Sequence, residues 1–215
     1  MSVTMHMVPV PHSPVVAQRD DGGLAKAMGA VVSGQLPPLP PAVAGAFVTG
    51  VLLAVGVAES AALAIFTPIV AVLLIGPGSS HAHDGRLDWL VPPILRLVEY
   101  VFVVCVGLAW EVPAPLIFAL LGAILFHHYD LVQRMRQRVY PPSWLGTAGL
   151  GWEGRMLLVS LAALAEAVTA GFVVLAAYLW GLFLWESVTC WMAAAEPASE
   201  PAEAAVRPGL ADAEE

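Results

Sequence analysis

Apolar positions dominate this chain in long unbroken runs, and the lengths of those runs predict its elements. From Ala42 to Ile75 almost every residue is apolar. As one helix the stretch would be about 51 Å long, against a hydrocarbon core of about 30 Å. It therefore folds into two crossings divided at Glu59 and Ser60, with Pro68 kinking the second and Gly76, Pro77 and Gly78 ending it. A third crossing runs from Trp89 to about Trp110 and a fourth from Ala114 to about Leu131, separated by the turn at Glu111 and Pro113. Tryptophans at both ends of the third fit the two membrane interfaces. Met156 to Met192 is again too long for one crossing, at about 55 Å, and divides near Glu166 to Ala170. The pattern predicts an all-α, polytopic transmembrane helix bundle of six spans over residues 42–192. The fifth span, Met156 to Ala165, is short enough to read equally as re-entrant.

Composition agrees with that picture and narrows the partners. Of 215 residues, 59% are hydrophobic and 12% charged, which excludes an ordinary water-soluble domain. The net charge of -8, with no basic run to neutralise a row of phosphates, excludes nucleic acid. Residues 1–41 have neither the basic start nor the unbroken apolar run of a cleavable signal and read as a disordered N-terminal arm. Residues 193–215, rich in Ala, Pro and Glu, read as an acidic disordered tail. Cys105 and Cys190 fall at different depths of the bilayer, so no disulfide framework is expected.

Orientation follows from the loops. With six spans, Arg19, Lys26, Arg86, Arg134, Arg136, Arg138, Arg155 and Arg207 share one side, while the three opposite loops carry Glu59, Glu111 and Glu166 and no basic residue. By the positive-inside rule both termini are cytoplasmic. Arg96 is the remaining basic residue, inside the membrane.

Intramembrane ionisable groups are costly and face a bundle interior or a wet cavity, so their distribution is the functional signal. In the third span Asp88, Arg96 and Glu99 fall within an arc of about 80°, with Glu99 about 16 Å beyond Asp88. In the fourth, His127, Asp130 and Arg134 share a face, while His128 and Tyr129 point elsewhere. Glu186 in the sixth, and Glu153 and Arg155 opening the fifth, reach the same leaflet. The expectation is one cytoplasmic pocket in which Arg96, His127, Asp130, Arg134 and Arg155 contact a phosphate or pyrophosphate head of a lipid or lipid precursor. Asp88, Glu99, His128, Glu153 and Glu186 would orient those groups. Asp84 and Asp88, at helical i, i+4 spacing, offer a site for a divalent cation, the one cofactor this pattern suggests.

Each signal also has a plainer reading. Arg96 and Glu99 are a possible intrahelical pair, and the arginines of QRMRQR an interfacial anchor. The runs HAHD (His81 to Asp84) and HHYD (His127 to Asp130) contain groups that suit Zn, Ni or Fe, but loop histidines at such spacing are usually solvated. A bis-imidazole haem site is excluded, because His127 and His128 point about 100° apart.

The segments DGRLDWLVPPILRLVEY, FHHYDLVQRMR, GWEGRMLLV and WESVTCW together resemble an uncharacterised bacterial integral-membrane domain family, over roughly Ala42 to Met192. HHYD followed by Arg134, and the EGR of Glu153 to Arg155, are its most specific pieces. Members of that family are fused to, or encoded near, CDP-alcohol phosphatidyltransferase and nucleotidyltransferase domains. The resemblance implies a link to phospholipid headgroup metabolism and a CDP-alcohol phosphatidyltransferase or related membrane enzyme as partner. The chain itself matches only a fragment of the transferase signature, at Asp84, Gly85 and Asp88. Its expected function is therefore to bind or process a phosphorylated lipid, or else to act as a non-catalytic scaffold for a lipid-synthesising enzyme; a small transporter is a third reading.

Overall fold

The protein is described by a computed structural model covering residues 14–59 and 61–195. Among the described residues it is all-helical: α1 Pro14–Gln18, α2 Gly23–Val32, α3 Leu39–Glu59, α4 Ala61–Ile75, α5 Val91–Ala109, α6 Ala114–Arg136, α7 Ser143–Ala148, α8 Gly151–Leu164 and α9 Val168–Ala195, with 3-10 turns at Gly76–Ser80 and Asp88–Leu90. Five segments are long and apolar enough to cross a membrane: Leu39–Ala58, Leu63–Ser80, Asp88–Ala109, Ala114–Arg136 and Val168–Met192. They match five of the six expected crossings. The remaining one, α8, has 14 residues and is about 21 Å long, shorter than the hydrocarbon core.

The chain's punctuation has local causes. α5, α6 and α8 each end with a charged residue in the left-handed region, Glu111, Arg138 and Glu166. In each case the next residue's N–H turns back to a carbonyl five residues earlier: Val112 to Gly107, Val139 to Arg134 and Ala167 to Ala162. This closure satisfies carbonyls the helix end would otherwise strand, and it explains why those turns need no glycine. Pro68 is carried inside α4, and α5 begins with Val91, Pro92 and Pro93, where missing N–H groups cost nothing.

Core stripes on the helices repeat every three or four residues and then change chemistry. On α5 the buried line runs Leu95, Val98, Glu99, Phe102, Val106; on α6 it runs Leu120, Ile124, His127, Asp130, Arg134; on α9, Phe172, Leu179, Phe183, Glu186. On α6 and α9 the line is apolar toward one end of the bundle and ionisable toward the other, while on α5 Glu99 interrupts an otherwise apolar line. The outside carries exposed Phe47, Phe118, Leu108 and Val174, as a surface facing lipid requires.

Residues 14–41 depart from the expected disordered arm. α1 packs against α5 and α6, and α2 against α4, α8 and the 3-10 turn Gly76–Ser80. Arg19, Asp20 and Asp21 are all buried. The reason is electrostatic: Arg19 pairs with Asp21, and Asp20 finds its counter-ion in Arg155 on distant α8, which a reading of local composition does not see. Residues 1–13 and the tail from 196 onward lie outside the described residues.

Candidate functional site

Ionisable side chains gather at the polar end of the bundle, as expected, but in separate groups. The largest centres on Arg155, fully buried on α8. Its Nε donates to Glu99 Oε1 at 2.5 Å, its Nη2 to Glu99 Oε2 at 3.1 Å and Asp20 Oδ2 at 2.7 Å, and its Nη1 to the Gly149 carbonyl at 3.0 Å. Every nitrogen of the guanidinium is therefore engaged. Asp20 in turn faces His127 Nε2 at 3.2 Å and His128 Nε2 at 3.4 Å. Because His128 Nε2 turns to carboxylates, it carries the proton, so Nδ1 accepts from the Tyr100 hydroxyl at 2.6 Å. The imidazole of His127 stacks on Phe183 with centroids 4.0 Å apart. Burial alone would raise the Asp20 pKa; Arg155 and His127 outweigh it and hold the carboxyl well below its ordinary range. His128, expected to point away, is buried in this group, because α1 and the segment after it close over a second face of α6.

Adjacent to it, Arg19 and Asp21 are held by bonds from the bundle. Arg19 Nε donates to Asp21 Oδ2 at 2.6 Å, and Trp152 Nε1 donates to Asp21 Oδ1 at 2.9 Å. Arg19 Nη1 lies 3.2 Å from His83 Nε2. An arginine can only donate, so His83 accepts there and gives its Nδ1 proton to the His81 carbonyl. Burial pushes the His83 pKa down, in keeping with that neutral form. Glu153 performs a capping role from another helix: its carboxylate accepts the N–H groups of Gly22, at 3.0 Å, and Ala25, at 3.1 Å, at the start of α2. The close approach rests on Gly151, whose φ is +63° and where a Cβ would lie 2.2 Å from Gly22 N.

A second group lies further along α6 and α9. Arg134 grips Glu186 through two parallel bonds, Nη1 to Oε1 at 2.7 Å and Nη2 to Oε2 at 2.6 Å, and pairs with Asp130 at 2.7 Å. Asp130 also accepts from Ser187 and from Trp191 Nε1, each at 3.2 Å. The Nε of Arg134 is buried without a partner among the described residues.

Other expected residues stand apart. Arg96 does not pair with Glu99; its Nη2 donates to the Gln18 carbonyl at 3.3 Å. Asp88 accepts the Gly85 N–H at 3.0 Å, and with His81 and exposed Asp84 it forms a trio whose ligand atoms lie within 4.8 Å of one another. Those three are the residues that could hold a divalent cation, although His81 Nδ1 already accepts the His83 N–H.

A cavity of about 320 Å³ opens beside the Arg155 group, lined among others by Asp20, Asp21, His127 and Lys26, with Tyr140 and Pro141 forming part of its wall. This is at the small end of ligand pockets. Sequence reasoning missed Arg19, Asp20 and Asp21. The available signal was the run RDDGG directly ahead of the apolar stretch LAKAMGAVV, charged residues placed just before a helix start.

A model of a family of unknown function, DUF5941, matches residues 13–205. Comparison with curated proteins and with solved structures returns no match at this level.

Proposed function

The chain belongs to the DUF5941 family, a family of unknown function, and we propose that it acts as a non-catalytic scaffold of the bacterial inner membrane, a multi-pass subunit that positions a lipid-synthesising enzyme. The observation that carries this reading is the engagement of Arg155 and Arg134 by carboxylates of the protein itself. Arg155 spends all three nitrogens on Glu99, Asp20 and a carbonyl, and Arg134 is paired bidentately with Glu186. Groups so engaged leave few donors for a phosphate, and removing them from their carboxylates would strand buried charge. Such a network fixes how helices pack. The sequence resemblance to domains found beside CDP-alcohol phosphatidyltransferases supports an enzyme of that class as partner. Six crossings with both termini cytoplasmic fit the eight-to-zero distribution of basic residues, with α8 and the segment ahead of it together making the fifth.

The test is a neutral replacement of the network, Arg155→Met with Glu99→Gln and Asp20→Asn, assayed in membranes that contain the partner transferase. A scaffold keeps the partner's activity and association when this variant folds, and the purified chain alone turns over no phospholipid precursor. A monodisperse variant that loses partner activity while still bound to it overturns the reading, because the charges would then have a chemical role.

The second reading, a phosphorylated lipid or precursor bound in the cavity, is favoured by Lys26 on its wall. It expects headgroup-selective binding that Lys26→Gln removes.

A further inference from the structure

Among the described residues, Arg96 on α5 stands outside the ion-pair network. Among the described residues no carboxylate lies within ion-pairing distance of it, its Nε is buried with no partner, and its single bond is to the Gln18 carbonyl. A guanidinium has five N–H donors, and unmet donors in hydrocarbon are costly. Its place on α5 shows where the missing acceptor lies. Trp89 sits seven residues back, in the 3-10 turn Asp88–Leu90 that leads into α5 at its polar end. Pro93 and Leu97, which flank Arg96 on α5, are exposed and Arg96 itself is half-buried, so Arg96 stands at the edge of the outward face of the helix. It is absent from the walls of the cavity beside Arg155. An arginine in that position extends its stem toward the headgroup layer, and its Cα–Cβ bond already tilts toward the α5 N-terminus, where Trp89 marks the interface.

We propose that Arg96 binds the phosphate of an anionic membrane lipid against the outer face of α5, with Trp89 supporting the headgroup one to two turns nearer the surface. The planar fork of the guanidinium matches phosphate oxygens, which supply the acceptors that the protein does not. This site lies outside the polar core and goes beyond the scaffold reading, because it concerns a lipid held on the surface of the bundle.

Native mass spectrometry of the full chain in detergent tests it, with phosphatidylglycerol, diacylglycerol and inorganic phosphate as probes. Phosphatidylglycerol should bind and survive moderate activation, and diacylglycerol, which lacks the phosphate, should not. Arg96→Gln should weaken phosphatidylglycerol binding by about tenfold or more, the loss of at least one charge-assisted hydrogen bond. Where that variant misfolds, Arg96→Lys keeps the charge and stem and should bind several-fold more weakly for want of the fork. Arg136→Gln, at an exposed position on α6, should bind as the parent does. Undiminished phosphatidylglycerol binding in folded Arg96→Gln or Arg96→Lys overturns the assignment. So does inorganic phosphate that displaces the lipid, since the acceptor would then be a free anion.

Discussion

Removing Arg155 tests the central cluster most directly. Arg155→Met keeps a similar stem and deletes four hydrogen bonds, three of them to carboxylates. Glu99, fully buried, and Asp20, nearly so, then face each other across α5 and the segment after α1 with only the imidazoles of His127 and His128 beside them. Breaking a buried ion pair on one side costs about 3–5 kcal/mol. For a chain of this size that corresponds to a fall of about 6–20 °C in the midpoint of thermal unfolding. Neutralising all three partners, Arg155→Met with Glu99→Gln and Asp20→Asn, should recover most of the loss, because the penalty comes from stranded charge more than from missing bonds. The assay is a melt of detergent-solubilised protein followed by fluorescence-detected size exclusion. A single variant that melts within about 2 °C of the parent, or a triple variant no more stable than the single, would refute the electrostatic account.

Three further outcomes are expected. Gly151→Ala should expel the segment around Gly22, since its Cβ would stand 2.2 Å from that backbone nitrogen; faster hydrogen exchange over residues 19–25 reports it, and unchanged exchange counts against the contact. Glu153→Gln should cost about 1 kcal/mol through the loss of a charged cap on α2, and limited proteolysis should then cut ahead of Gly23 more readily than in the parent. His83 is held neutral by burial, so the unfolded chain takes up a proton first as the pH falls through about 6.5, and stability declines from there toward the lowered folded value. His83→Asn removes that proton and tolerates the φ of +53°, so its melt should change less than the parent's between about pH 7.5 and about pH 5.5.

Run lengths made the membrane crossings legible, because a hydrocarbon slab sets one length for all of them. The edges of α5, α6 and α9 fall within a few residues of the expected ones for that reason. The pairing of charges was not legible. Arg96 and Glu99 are three residues apart, and a local pair is the plainer reading of that spacing, yet Glu99 is claimed by Arg155, 56 residues away. Arg96 meets a backbone carbonyl instead. Periodicity places a residue on a helix face; which helix that face meets depends on packing. The same limit hid Asp20 and Asp21. They sit in a segment whose composition is that of a solvated arm, and their burial is compensated by Arg155 and Trp152, more than 130 positions further along.

That separation has a consequence for biosynthesis. Asp20 and Asp21 leave the ribosome early, and the side chains that receive them, Trp152 and Arg155, are made 131 and 135 residues later. The segment that carries them must wait undocked until the last helical hairpin has emerged. A bulky insertion that keeps Asp20 and Asp21 from reaching the polar end of the bundle would leave the late arginine without its aspartate, and assembly would stall at its final step.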